Sequence, residues 1–259
     1  VIFSPIYSMI LSPFLSATFV KSPRPLTPRL TVNFCIRYRI PYNAFMKSNA
    51  VQKNKTSMKS FPKHLLTPAE KALFKKLNTP EKIQDYIITL PTNNTDSVQS
   101  VRRSFNKQKM HCLEGAFFAA AVLWFHGDEP LLLDLRTTSD DLDHVIALFK
   151  RDDLWGAISA THHSVLRYRD PIYKNIRELA LTYFHEYFLN SGVKTMRAYS
   201  KKPFSLLLYG DLWLFDEEEL YDIGAALDDA PHEPIAPPKT IRKLRKADKI
   251  ERIAADLTK

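Results

Sequence analysis

The chain has 259 residues, enough for one large domain or two small ones, and its 45% apolar content can fill a hydrophobic core. The net charge of +9 is located at the ends of the chain. Residues 1–57 contain eight basic and no acidic residues, residues 239–259 contain eight basic and three acidic residues, and 58–238 carry about −4. Because a body of that charge lacks a phosphate-binding footprint, nucleic acid is not an expected partner.

Cysteine content and hydropathy restrict the cellular setting. Only Cys35 and Cys112 are present, so we expect no disulfide framework and a reducing, cytoplasmic location. The apolar opening of the chain is interrupted by Pro5 and Pro13, and no clean run of 18 apolar residues occurs. We therefore expect no membrane-spanning segment.

Three regions follow from composition. Residues 1–57 are interpreted as a disordered or targeting-like extension, or as a non-native extension of the coding frame upstream of Met46 or Met58. Residues 58–230 are expected to form the folded domain. The prolines of residues 231–238 predict a linker, and the basic residues after it predict a C-terminal helix, so that 231–259 form a third region.

Helix signals begin soon after Met58. Thr67-Pro68-Ala69-Glu70 is a capping box with proline at the first helical position, which predicts a helix to about Leu77. Thr79-Pro80-Glu81 repeats the signal, and Pro91 ends that second helix. Polar residues 92–100 then indicate a loop.

The segment from Cys112 to Phe125 is the most unusual in the chain. Between Ala116 and Phe125 it is apolar on every side, which predicts a helix that is buried all round. Gly127 is its expected C-cap. The remaining predicted elements are strands at 130–135, 144–149, 154–159, 204–208 and 212–215, and helices at 172–189 and 216–226.

The order of chemical groups in the middle of the chain suggests a cysteine nucleophile. Cys112 opens the buried helix, a strand follows, and His144 opens a predicted hairpin. A thiol reacts as its thiolate, and both a helix N-terminus and a neighbouring imidazolium stabilise that anion.

Residues 108–163 resemble the transglutaminase-like branch of the papain-like cysteine enzymes. The matching pieces are Cys112-Leu-Glu-Gly-Ala, the strand 130–135, Asp143-His144-Val and Leu154-Trp155-Gly156. The chain also resembles uncharacterised bacterial proteins with a similar WGAIS…LRYRDP stretch. The resemblance implies an α+β fold in which a buried, cysteine-bearing helix packs on a small antiparallel sheet with flanking helices. It implies Cys112 as nucleophile and His144 as base.

One position departs from the family pattern. The family's third residue, an aspartate four places after the tryptophan, falls on Ser159. We expect His162 to take its place, with Ser159 as the other candidate to orient His144. The side chain of Gln108 is a speculative donor to the oxyanion, and His111 is expected to point away from Cys112.

The leading hypothesis is cysteine-dependent acyl transfer or hydrolysis on an amide or peptide substrate by Cys112, His144 and His162. The alternative is a catalytically weak or inactive transglutaminase-like interaction module, which the missing aspartate favours. No pair of Cys or His residues has a recognised zinc spacing, and His185-Glu186 lacks the second histidine of HExxH. We therefore expect neither a metal nor a cofactor.

Overall fold

The computed structural model describes residues 60–258, so the interpretation of residues 1–57 lies outside the described part of the chain. Four helices form its first part: α1 (Pro68–Lys76), α2 (Pro80–Ile87), α3 (Val101–Lys107) and α4 (Cys112–Phe125). Both predicted N-caps are confirmed, because the Thr67 and Thr79 hydroxyls accept from backbone N–H groups of the first turns. All 14 residues of α4 are buried.

A seven-stranded antiparallel sheet forms the centre of the domain. The strands are β1 (Leu131–Arg136), β2 (His144–Arg151), β3 (Leu154–Ile158), β4 (Arg169–Tyr173), β5 (Ala198–Ser200), β6 (Phe204–Ser205) and β7 (His232–Pro234). They lie in the order β4-β3-β2-β1-β5-β7, with β6 also paired to β1. Together with the helices, this sheet confirms the coarse α+β class.

Five further helices follow in the described part of the chain, and the two that correspond to the helices predicted at 172–189 and 216–226 are shorter than predicted. The five are α5 (Ile176–Phe184), α6 (Leu212–Phe215), α7 (Tyr221–Asp228), α8 (Pro238–Ile241) and α9 (Lys249–Ala255). Within residues 60–258, no helix combines the length and the apolar character that a membrane crossing requires.

The two faces of the sheet support separate cores. Alternate side chains of β2, namely Val145, Ala147 and Phe149, pack in the same cluster as α4. Ile146 and Leu148 belong to a second cluster on the opposite face, which includes residues of α5. The sheet is therefore covered by α4 on one face and by α5 on the other.

The first turn of α4 approaches the sheet very closely at Gly115. A Cβ atom placed on Gly115 would lie 2.3 Å from the Cβ of Ala160, which is below any real contact distance. Ala160 follows directly after Ser159 at the end of the β3 segment. The absence of a side chain at Gly115 therefore allows the helix start to touch this part of the chain.

Several predicted elements differ from the structure. The helix predicted at 172–189 starts only at Ile176, because residues Arg169–Tyr173 form the edge strand β4, where Pro171 is tolerated. The strand predicted at 212–215 is the helix α6, since periodicity does not distinguish short apolar runs. The predicted strand 204–208 is a strand only at Phe204–Ser205 and continues as a 3₁₀ turn.

Two further differences concern the C-terminal part of the domain. Asp216 does not cap α7 but ends α6, and α7 begins at Tyr221. Between them, Glu219 accepts a hydrogen bond from Val98 N and forms an ion pair with Arg103. The predicted proline-rich linker contains β7, which pairs with β5 at the edge of the sheet.

Replacement of Gly115 by alanine tests the close approach of α4. We expect Gly115→Ala to lose about 1–3 kcal/mol of unfolding free energy through overpacking, although alanine favours helices. Gly224→Ala is the matched helical control, because its Cβ would lie 3.5 Å from Leu113, an ordinary contact. Urea unfolding measures both variants, and equal stability of Gly115→Ala and the wild type would contradict the tight contact.

Candidate functional site

The N-terminus of α4 is capped by the imidazole of His111. Its Nδ1 accepts a hydrogen bond from the backbone N–H of Leu113 at 3.2 Å. Its Nε2 lies 2.7 Å from the carbonyl oxygen of Ser97, and since a carbonyl only accepts, Nε2 carries the proton. In the neutral form of the ring, these two bonds therefore select one tautomer, and they hold the ring between the helix and the loop before α3.

Glu114 completes this cap as a fully buried carboxylate. Its two oxygens accept hydrogen bonds from the backbone N–H groups of Gln99 and His111, both at 3.1 Å. The amide of Asn93 donates to both oxygens at 3.0 Å. The carboxylate also lies 3.6 Å from Nε2 of His111. The donors satisfy the buried oxygens, and the negative charge stands beside the imidazole.

His111 forms a hydrogen bond with the side chain of Cys112, which corrects the expectation that its ring points away from the thiol. Burial lowers the pKa of His111, but the hydrogen bond with Cys112, the charges of Glu114 and Cys112 and the bond to Ser97 together raise it to about 9. The sequence signal for this contact was the adjacency of a histidine N-cap and the first helical residue.

A second proton on the His111 ring must lie on Nδ1, because Nε2 already carries the proton that it donates to Ser97. If that proton came from the Cys112 thiol, the pair would become imidazolium and thiolate. The positive end of α4, a helix of 14 residues, favours the same anion at Cys112.

His144 is bound to Ser159, the alternative partner that the sequence offered. Nε2 of His144 lies 2.7 Å from Oγ of Ser159. Because the Ser159 hydroxyl donates its proton to the carbonyl of Leu166, at 2.5 Å, it accepts the Nε2–H of His144. The Nδ1 atom of His144 then carries the lone pair of the neutral ring.

The side chains of His144 and Cys112 approach the sheet from different sides. His144 is paired with Leu135, whose side chain belongs to the cluster on the α5 face. Strand alternation therefore directs His144 to the α5 face, whereas the helix that begins at Cys112 covers the opposite face. Cys112 is bonded to His111 and His144 to Ser159, and a direct Cys112–His144 dyad stays a prediction.

The other two candidates have different surroundings. His162 is partly exposed and follows Ala160 by two residues, and its predicted role in orienting His144 stays a prediction. The Nε2 atom of Gln108 donates to the carbonyl of Phe105 and contacts the hydroxyl of Tyr86. Those bonds, rather than an oxyanion, account for the orientation of Gln108.

A second polar cluster, which the sequence analysis missed, lies on the α4 face of the sheet. Oxygens of Asp134, Asp143 and Asp228 lie within 4.8 Å of one another. Asp134 is bonded to Nε2 of His232 at 2.8 Å, and Asp228 to Arg136 at 2.9 Å. The available signal was an aspartate inside the apolar run of β1.

Carboxylates suit hard cations such as Mg²⁺ or Ca²⁺. In this cluster, however, two of the three aspartates already have side-chain partners, since His232 is bonded to Asp134 and Arg136 to Asp228. The arrangement fits an internal polar network that links β1 with α7 and β7. We assign it a structural role.

No protein-family model matches the chain, and a search of curated proteins gives no match.

The pKa of Asp143 gives a test of the acidic cluster. Burial, followed by the charge of Asp134, raises this pKa, bonds from Thr137 oppose the shift, and the net pKa is about 6. The folded protein therefore binds more protons than the unfolded chain between about pH 4 and 6, so stability falls as the pH rises through that window.

We expect Asp143→Asn to remove this loss of stability, because Asn carries no charge and still offers an acceptor to Thr137. The variant should be more stable than the wild type by about 1 kcal/mol at pH 7 and equally stable at pH 4. Asp140→Asn is the exposed control. Chemical denaturation at both pH values measures the difference. A gain that is equal at pH 4 and pH 7 would contradict the raised pKa of Asp143.

Proposed function

We propose that the protein is a cysteine-dependent enzyme for acyl transfer or hydrolysis at an amide or peptide bond, with Cys112 as its nucleophile. The observation that supports this proposal most strongly is the hydrogen bond between Cys112 and His111. Cys112 is the first residue of a buried helix, and the pKa of His111 is raised to about 9. The order of motifs that resembles transglutaminase-like, papain-like enzymes supports the same assignment.

The reaction begins with proton transfer from the Cys112 thiol to Nδ1 of His111. The thiolate attacks the acyl carbon, the carbon–nitrogen bond breaks, and the proton leaves with the amine. A thioester at Cys112 remains. Water cleaves it in hydrolysis, and a second amine cleaves it in transfer. The charge of Glu114 raises the pKa of His111 and so stabilises the imidazolium.

His144 is the second candidate for the base. Its Nδ1 is available as a base in the tautomer that Ser159 selects, and the family resemblance assigns it that role. Its place on the α5 face favours His111 instead. In the account that we favour, the His144–Ser159 pair has a positioning role. It holds the chain next to Ala160 in place, and Ala160 contacts the first turn of α4.

The competing function is a transglutaminase-like interaction module without catalysis. The low exposure of Cys112, 8%, favours this alternative, because a nucleophile must meet its substrate. Serine in place of the expected aspartate favours it as well. A module predicts a thiol of ordinary reactivity, whereas the enzyme predicts an activated one.

The pH dependence of alkylation at Cys112 separates the two functions. We expect iodoacetamide to modify the wild-type thiol with a midpoint clearly below 8.5, the ordinary value for cysteine. In His111→Gln the midpoint should rise by about one unit or more, since the stabilising imidazolium is lost. Mass spectrometry of the peptide that contains Cys112 distinguishes it from Cys35.

Two controls complete this experiment. His126→Gln removes an imidazole from the other end of α4, about 21 Å away, and should leave the midpoint unchanged. His144→Gln should also leave it unchanged if His111 is the partner. A wild-type midpoint at 8.5 would contradict the enzymatic function. A shift of the midpoint in His144→Gln but not in His111→Gln would identify His144, rather than His111, as the partner of Cys112.

A further inference from the structure

The C-terminal segment of residues 244–258, here called the strap, binds the loop that follows β3. The backbone N–H of Ser164 donates to Leu257 O at 2.9 Å, and the Ser164 hydroxyl donates to Ala254 O at 2.5 Å. An antiparallel bridge joins His163 to Thr258. Two segments about 90 residues apart in sequence are therefore fastened by main-chain contacts.

The start of the strap is fixed at Gly192. Ala247 is buried and its N–H donates to Gly192 O at 2.8 Å. Gly192 has a φ of +81°, and a Cβ atom placed there would lie 2.5 Å from Ala247 O. Any side chain at this position would strain the backbone and push the strap away.

The loop beneath the strap links the two parts of the candidate site. It starts at Ser159, which holds His144, and at Ala160, which touches the first turn of α4 at Gly115. It returns at Leu166, whose carbonyl accepts from Ser159. His163 is three residues from Ala160, at most about 10 Å along the chain. The strap therefore binds a loop whose first residues contact the first turn of α4.

Leu166 shows that this loop is held under strain. Its φ is +59°, in the left-handed region that a leucine seldom adopts. The backbone N–H of Leu166 donates to the carboxylate of Glu186 at 2.6 Å, and the carbonyl of Leu166 accepts from the hydroxyl of Ser159. A strained backbone persists only when surrounding contacts enforce it, and the strap supplies contacts to the same loop.

Little apolar burial holds the strap in place. The side chains of Ile250, Ile253 and Leu257 are 73%, 55% and 62% exposed. The strap is thus attached mainly by hydrogen bonds at the surface, and such segments open at low free energy.

We propose that the strap is a removable cover that limits access to Cys112 by fixing the 159–166 loop against the start of α4. The proposal rests on the proposed role of Cys112 for its biological meaning, but its physical content is the accessibility of that thiol. Opening of the strap frees the loop between Ala160 and Leu166 and exposes the first turn of α4.

The experiment uses full-length protein with Gly192→Ala or Ser164→Ala. Gly210→Ala is the matched control, because Gly210 also has a positive φ, +60°, but a Cβ there meets nothing within 4 Å. Hydrogen exchange of a peptide covering 247–258 reports opening of the strap, and iodoacetamide alkylation at one pH reports access to Cys112. We expect Gly192→Ala to increase the rates of hydrogen exchange and of alkylation at least about fivefold, because backbone strain at a positive φ raises the population in which the strap is open. Gly210→Ala should change neither rate.

The outcomes separate this proposal from the enzymatic one. Faster exchange of the strap with unchanged alkylation would overturn the cover, whatever the reactivity of the thiol. Unchanged exchange in both strap variants would also overturn it, since the named contacts would not hold the strap. Faster alkylation in the strap variants together with an ordinary pH midpoint of 8.5 would support the proposal that the strap covers Cys112. It would contradict only the proposal that Cys112 is an activated nucleophile.

Discussion

The buried carboxylate of Glu114 is the constraint on which the candidate site depends. A carboxyl group with no exposed surface needs hydrogen-bond donors nearby, and the loop before α3 and the cap of α4 supply them through Asn93, Gln99 and His111. The same contacts fix the His111 ring next to Cys112. Removal of the carboxylate would therefore affect the structure of the helix start and the protonation of the imidazole together.

The fold delivers this helix start to the sheet through two features of α4. Its apolar surface on all sides requires burial between the sheet and the flanking helices, and Gly115 permits contact with Ala160. The first turn of the helix thus lies beside the chain that follows β3, where Ser159 binds His144 and the strap binds Ser164. In our proposal, packing in the core and access to the thiol are coupled at this point.

Local chemistry explains which parts could be predicted. Thr67 and Thr79 act through neighbours three residues away, so their helices follow from sequence, and continuous apolarity was enough for α4. The helix at residues 212–215 could not be predicted from the sequence, since a run of four apolar residues is compatible with a helix and with a strand. The orientations of His111 and His144 depend on Ser97 and on the pairing of β2 with Leu135, which are tertiary contacts.

The most direct test of the central interaction is an NMR titration of the His111 imidazole in the wild type and in Cys112→Ala. A midpoint of about 9 is expected in the wild type. A lower midpoint is expected in Cys112→Ala, because the variant removes the hydrogen bond and the charge of the thiolate. Titration of the wild-type ring near its ordinary 6.5, or at the same pH in both proteins, would contradict the coupled Cys112–His111 pair.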